Sequence, residues 1–117
     1  MTTAATKREP RLHFVRIHIN DKGFAYASQG HDNARAILVK NGDTIKWNCD
    51  HGNYTVLFKG GSPFKTKDVA VHGPKGNDTM EAVIEGDPYR HYSYAVTVAL
   101  EGSGLIVDDP EIIIDGN

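Results

Sequence analysis

Apolar and polar residues alternate with a period of two along much of the chain, which is typical of strands that bury one face. Residues 12–19 place Val15, Ile17 and Ile19 on one face. The longest alternation covers residues 89–100, whose apolar face carries Tyr92, Tyr94, Val96, Val98 and Leu100. Shorter strands are predicted at 54–58, 79–84, 105–107 and 112–114. No segment keeps a helical period beyond two turns, so the chain is predicted to be all-β.

The middle of the chain adds a predicted hairpin and a long irregular segment. Two apolar runs, 34–40 and 44–47, are separated by Asn41-Gly42. Asn-Gly favours the positive φ angles of a tight turn, so the two runs are predicted to pair as a β-hairpin. Residues 59–78 are rich in Gly, Lys and Pro and are predicted to be irregular, which is compatible with a short helix between 60 and 75.

About eight short strands separated by turn signals predict an antiparallel sandwich or barrel. Residues 1–10 are polar and end in Pro, so they are predicted to be a flexible N-terminal arm that precedes one domain at 11–117. His13 lies at the end of the apolar face of the first strand. It is predicted to be a hydrogen-bonded residue at the rim of the core.

Composition and charge narrow the classes of partner. The chain has 117 residues and a formal charge of −2 with its basic residues scattered, so neither nucleic acid nor an anionic membrane is expected as a partner. One Cys excludes an internal disulfide. No apolar stretch has the length of a signal peptide or a membrane span, so the chain as written is expected to be cytoplasmic. A chain from which a leader had been removed would look the same.

Four stretches follow one another in a familiar order. Residues 39–47 read V-K-N-G-D-T-I-K-W, residues 53–58 N-Y-T-V-L-F, residues 76–84 G-N-D-T-M-E-A-V-I, and residues 92–99 Y-S-Y-A-V-T-V-A. This order resembles that of cupredoxins, the blue-copper proteins of the plastocyanin and pseudoazurin type. That family has a K-x-G-D-T-V hairpin, a strand opening with a His ligand, then G-E-T-Y-E-V and Y-S-F-Y-C-x-x-H. The resemblance covers residues 34–107 and implies a Greek-key, cupredoxin-like sandwich.

The copper ligands of that family are missing here. A blue-copper site uses two His, one Cys thiolate and a weak axial thioether. On this chain the first His falls at Tyr54, the Cys at Val96 and the second His at Ala99, and no Met follows Met80. The resemblance therefore implies the fold without a copper cofactor or electron transfer. It predicts a metal-free binding or structural module that is not an enzyme.

Two alternatives rest on the pair Cys49 and His51. A Zn or Cu(II) site needs three or four donors, so a divergent copper- or zinc-binding protein would need further His ligands, such as His18 or His91. A small cysteine-dependent enzyme would need Cys49 beside a base and an oxyanion hole. The residues around Cys49 do not match a cysteine-hydrolase signature.

The expected partner is a protein or a second copy of the chain. Loops carried by a rigid sandwich commonly bear function, so His51, Asn53 and Tyr54 are predicted to belong to an interaction surface. Residues 108–115 contain three consecutive Ile and are predicted to form an added edge strand. An exposed apolar edge tends to associate, so Ile112 and Ile114 are predicted to form a homodimer contact.

Overall fold

The computed structural model describes residues 9–28, 33–102 and 104–116, so the predicted arm lies outside the described residues up to position 8. The described residues form ten strands and no helix, which confirms the all-β prediction. No helix able to cross a membrane occurs within these ranges. The strands are β1 (Leu12–Asn20), β2 (Gly23–Ala27), β3 (Ala36–Val39), β4 (Thr44–Cys49), β5 (Asn53–Phe58), β6 (Ala70–Gly73), β7 (Ala82–Val83), β8 (His91–Leu100), β9 (Gly104–Asp108) and β10 (Glu111–Ile114).

The strands form two mixed sheets. The four-stranded sheet has the order β2-β1-β4-β7, and the six-stranded sheet has the order β3-β10-β8-β5-β6, with β9 paired to β8. β1 pairs with β4, and β10 with β3, in parallel. The prediction of a purely antiparallel fold was therefore wrong, because strands distant in sequence lie side by side with the same direction.

The predicted hairpin across Asn41-Gly42 was also wrong. A turn is present, since the Asp43 amide donates to the Lys40 carbonyl at 3.0 Å, but β3 and β4 belong to different sheets. Gly42 has a φ of +94°, whereas Asn41 is not among the residues with positive φ. A type I′ hairpin turn requires positive φ at both central residues. This turn has the positive φ at the second central residue only, and it carries the chain from one sheet to the other.

β9 and β10 run along β8 as one nearly continuous strand. Val96 lies opposite Asp108 and Ser93 opposite Glu111, so the register is the same in both strands. Pro110 separates them because it lacks an N–H, yet its carbonyl accepts a hydrogen bond from the Tyr94 amide at 3.0 Å. β10 lies between β8 and β3. The prediction that this segment is an added edge strand was therefore wrong.

The two sheets enclose a common core, as in a β-sandwich. Alternate residues of β4, β5 and the first half of β8 are buried, as their period of two predicts. At the centre, ring centroids lie 5.1 to 6.4 Å apart among four aromatic residues, Trp47, Phe58, Phe64 and Tyr94. Such pairs add to the stability that area burial provides. Trp47 comes from the four-stranded sheet, whereas Phe58 and Tyr94 come from the six-stranded sheet, so this cluster joins the two.

The segment predicted to be irregular, 59–78, contains β6, and its residues 63–65 run beside β7. The Lys65 amide donates to the Val83 carbonyl at 2.9 Å, and the Glu85 amide donates to the Pro63 carbonyl at 2.8 Å. These bonds place residues 63–65 along the outer edge of β7. Of the strand predicted at 79–84, only Ala82–Val83 is regular.

Candidate functional site

Tyr54, which the resemblance to cupredoxins would align with a His ligand, is part of the fold. Its ring is 3% exposed and packs on Gly73, where an added Cβ would lie 2.0 Å from the ring. Its hydroxyl lies 2.8 Å from the Trp47 carbonyl and 2.6 Å from the Asn77 carbonyl, and it can donate to one of them at a time. Burial raises the pKa of this hydroxyl, so it stays protonated. Tyr54 thereby joins β5 to β4 of the other sheet and to the connection between β6 and β7.

The side chains of Val96 and Ala99, which the resemblance would align with the Cys and the second His ligand, point away from each other. Val96 lies in the middle of β8, is fully buried and faces the core. Ala99 lies three residues later on the outer face, and it is exposed. Side chains three apart on a regular strand lie on opposite faces, so these positions do not converge on one ion. The backbone of Gly52 packs so closely on the Ala99 carbonyl that a Cβ would lie 2.0 Å from its oxygen.

Cys49 and His51 also diverge. Cys49 is 1% exposed, and burial raises the pKa of its thiol despite opposing hydrogen bonds from the backbone amides of His51 and Gly52. His51 is exposed, and its Nε2 accepts a hydrogen bond from the Ile19 amide at 3.3 Å. A thiol with a raised pKa holds less of the nucleophilic thiolate at neutral pH. The two residues of that alternative therefore lie in different environments, with Cys49 in the core and His51 at the surface.

The other described histidines have separate partners or none. His13 bonds Asp43 at 2.7 Å, which confirms the predicted hydrogen-bonded rim residue. His91 bonds Glu111 at 2.7 Å, and His72 bonds Thr55 at 3.0 Å. Within residues 9–28, 33–102 and 104–116, no three His, Cys, Asp or Glu side chains come together as a group that could hold a metal ion.

Asp43 is a buried carboxylate that the sequence placed only in a turn. It is 1% exposed and accepts hydrogen bonds from the Arg11 amide at 3.0 Å, from His13 at 2.7 Å and from the Lys40 amide at 3.1 Å. It ties the start of β1 to the turn after β3. The Asp43 carboxylate is therefore a structural centre of this part of the fold.

A second carboxylate, Asp108, joins β9 to the connection between β2 and β3. It receives a hydrogen bond from Arg35 Nη2 at 2.8 Å, a second close contact from Arg35 Nη1, and one from the Tyr26 hydroxyl at 2.8 Å. Burial raises the pKa of Asp108, but the hydrogen bonds from Arg35 and Tyr26 outweigh burial and lower it overall.

Only part of the predicted interaction surface is exposed to solvent. His51 and Asn53 are exposed, whereas Tyr54 is 3% exposed and Ile112 and Ile114 are fully buried. The two Ile side chains point into the core because β10 is an internal strand. They therefore provide no homodimer contact, and that part of the prediction was wrong.

A groove between the edges of the two sheets was not predicted. It has a volume of about 430 Å³ and is called the β6–β7 groove here; it is lined by Phe64, Lys65, Thr66, Asp68, Ala70, Val71, His72, Met80, Glu81, Ala82 and Val83. Met80 is 86% exposed at its margin. The available signal was the apolar pair Val69 and Val71, which stands out in an otherwise polar segment.

Comparison of this sequence with models of known families and with curated proteins finds no match.

Proposed function

We propose that this protein is a binding module on a Greek-key, cupredoxin-like scaffold, in which the positions of the family's copper ligands serve the fold and not electron transfer. Tyr54 carries this proposal. Tyr54 packs on Gly73, lies within hydrogen-bond distance of two backbone carbonyls and stays protonated. Such a residue is suited to filling the interior of the sandwich rather than to binding a metal. The opposite directions of Val96 and Ala99 support the same conclusion.

The arrangement of the two sheets supports the cupredoxin-like part of the proposal. The segments that resemble the family supply β4, β5, β7 and β8, all of which contribute to the common core. The turn at Asn41-Gly42 moves the chain between sheets, so β3 and β4 are consecutive in sequence but lie in different sheets. Such crossing between two packed sheets is typical of Greek-key sandwiches.

The exposed apolar side chains support a binding role. Eight large apolar residues are exposed in the described part of the chain: Leu38, Leu57, Val69, Met80, Val83, Tyr89, Leu105 and Val107. Met80 and Val83 line the β6–β7 groove, and Val69 directly precedes β6. Clustered exposed apolar residues mark interaction sites, whereas scattered single residues do not. A protein partner is therefore proposed.

The two alternatives have less support. A copper or zinc site at Cys49 and His51 would require the buried thiol to leave the core and the exposed imidazole to turn toward it. A cysteine-dependent enzyme would require an accessible thiolate, whereas Cys49 is buried with a raised pKa.

Metal analysis of the purified full chain tests the proposal. After incubation with Cu(II) or Zn(II) and desalting, we expect substoichiometric metal by mass spectrometry and no intense visible absorption band. Cys49→Ala serves as the matched variant, and it should behave as the parent does. One equivalent of metal retained by the parent and lost from Cys49→Ala would overturn the proposal in favour of the metal-binding alternative.

A further inference from the structure

β6 is the last strand of its sheet and has an open edge. The Phe58 amide donates to the Val69 carbonyl at 2.7 Å, which makes this a hydrogen-bonded pair of the β5–β6 register. Hydrogen-bonded and non-bonded pairs alternate in antiparallel strands, so Val71 bonds β5 while Ala70 and His72 do not. The amides and carbonyls of Ala70 and His72 therefore point away from β5. Among the described residues no strand pairs with this edge.

The facing wall of the β6–β7 groove is already paired. Its strand β7 pairs with β4, with Ala82 opposite Ile45 and Val83 opposite Thr44. On its other edge, β7 is covered by residues 63–65. The groove is thus bounded on one side by the open edge of β6 and on the other by a paired strand.

The interior of the groove is apolar and reaches the core. Phe64 is fully buried, and Val71 and Ala82 are partly buried against the core cluster. A volume of about 430 Å³ lies within the range of sites that bind ligands, roughly 300–1,000 Å³. The groove can therefore accept an apolar side chain from an added strand.

Three charged residues of both signs line the groove, Lys65, Asp68 and Glu81, and Asp68 accepts a hydrogen bond from the Thr66 hydroxyl at 2.9 Å. Neither Lys65 nor Glu81 takes part in any ion pair within the described ranges. The Lys65 amide bonds the Val83 carbonyl, so Lys65 lies beside Val83, while Glu81 precedes Val83 by two residues. Two residues of extended chain span roughly 7 Å. The groove therefore presents a cation and an anion at different points along its length.

We propose that the β6–β7 groove binds an extended peptide segment of a partner protein, which pairs with β6 and inserts an apolar side chain between Val71 and Ala82. A second extended backbone supplies acceptors and donors at the spacing of Ala70 and His72, which an apolar small molecule does not. Charge complementarity places an acidic side chain of the segment near Lys65 and a basic one near Glu81. This inference rests on the proposed binding function and names its site and partner class.

Selection from a displayed library of random linear peptides on the full chain tests the inference. We expect enriched peptides in which apolar and polar residues alternate, with acidic and basic residues on opposite sides of an apolar one. A synthetic fluorescent copy of the most enriched peptide then gives dissociation constants by anisotropy. Methylation of its backbone nitrogens one at a time should weaken binding at least about tenfold at alternate positions only, since every second amide of an added strand faces β6.

Variants of the protein locate the site. His72→Pro removes an amide hydrogen that does not bond β5, and Ala82→Phe fills the groove; each should weaken binding at least about tenfold. His72→Ala removes the same side chain but keeps the amide, so His72→Pro should bind more weakly than His72→Ala. Leu105→Ala alters an exposed apolar residue outside the groove lining and should be without effect.

Three outcomes would contradict the inference in different ways. Binding that is insensitive to Ala82→Phe and to methylation at every position would overturn the groove assignment but leave the proposed binding function standing. Dimerisation of the chain that His72→Pro abolishes, with no peptide binding, would identify a second copy as the occupant instead. Failure to enrich any peptide would overturn this inference, whereas stoichiometric metal in the preceding test would overturn the proposed function itself.

Discussion

Asp43 shows how one buried carboxylate can hold two distant segments. Asp43→Ala removes the acceptor for the Arg11 amide, for His13 and for the Lys40 amide. These three bonds are partly buried, and donors left without partners there cost more than the bonds contribute, so we expect the free energy of unfolding to fall by about 1–3 kcal/mol. Urea unfolding followed by Trp47 fluorescence measures the change.

Asp109 provides the control for Asp43. It is exposed and pairs with Lys59 at 2.6 Å. Exposed ion pairs contribute about 0–1 kcal/mol, so Asp109→Ala should change stability little. Equal losses in the two variants would show that Asp43 has no special structural role.

A substitution at Tyr54 separates the contribution of the hydroxyl to stability from that of the ring. Tyr54→Phe keeps the packing on Gly73 and removes the group that donates to the Trp47 or Asn77 carbonyl. We expect a loss of about 1–2 kcal/mol in the free energy of unfolding. Tyr89→Phe is the control, because that ring is 71% exposed and should lose at most about 0.5 kcal/mol. A loss no larger than in the control would contradict the role assigned to the Tyr54 hydroxyl.

At the scale of the strand, the contact between β5 and β6 depends on Gly73, which has no side chain. A Cβ at Gly73 would lie 2.0 Å from Tyr54 Cζ, so Gly73→Ala must displace the ring or the strand. Overpacking of this kind costs about 1–3 kcal/mol, which thermal unfolding would measure. Gly60→Ala is the matched control, since its nearest neighbour is an Arg90 nitrogen at 4.0 Å. Comparable losses in both variants would show that the contact with Tyr54 is not the cause, since the lower entropy of the unfolded chain should by itself make Gly→Ala stabilising.

The strands were predictable where burial imposes a period of two, as in β8, whose inward Tyr92, Tyr94 and Val96 follow from parity alone. Which sheet each strand joins could not be predicted, because the turn at Asn41-Gly42 has the same local sequence whether β3 and β4 pair with each other or lie in different sheets. The same limit applies to the site. Tyr54 meets its carbonyl partners, and the groove its walls, only through contacts between segments distant in sequence.

At the scale of the whole molecule, hydrogen bonds of buried side chains close some parts of the sandwich, whereas the side between β6 and β7 stays open. Asp43 and its partners tie the start of β1 to the turn after β3, and Tyr54 ties β5 to β4 and to the connection after β6. The side between β6 and β7 keeps an apolar groove and an open strand edge. The open edge of β6 is therefore a place where a partner strand could add to the sheet.

The response of the whole molecule to acid should depend on Asp108. A carboxyl group whose pKa is lowered on folding stabilises the protein above its ordinary pKa of about 4, and this contribution is lost as pH falls through the folded value. We therefore expect the free energy of unfolding to decrease from pH 5 to pH 2, and to decrease less in Asp108→Asn. Arg35→Met should reduce the pH dependence in the same way, because Arg35 is a partner of the carboxylate. Lys59→Met, which affects only the exposed pair with Asp109, is the control and should follow the parent. An unchanged pH dependence in Asp108→Asn would show that this carboxylate titrates alike in the folded and unfolded chain.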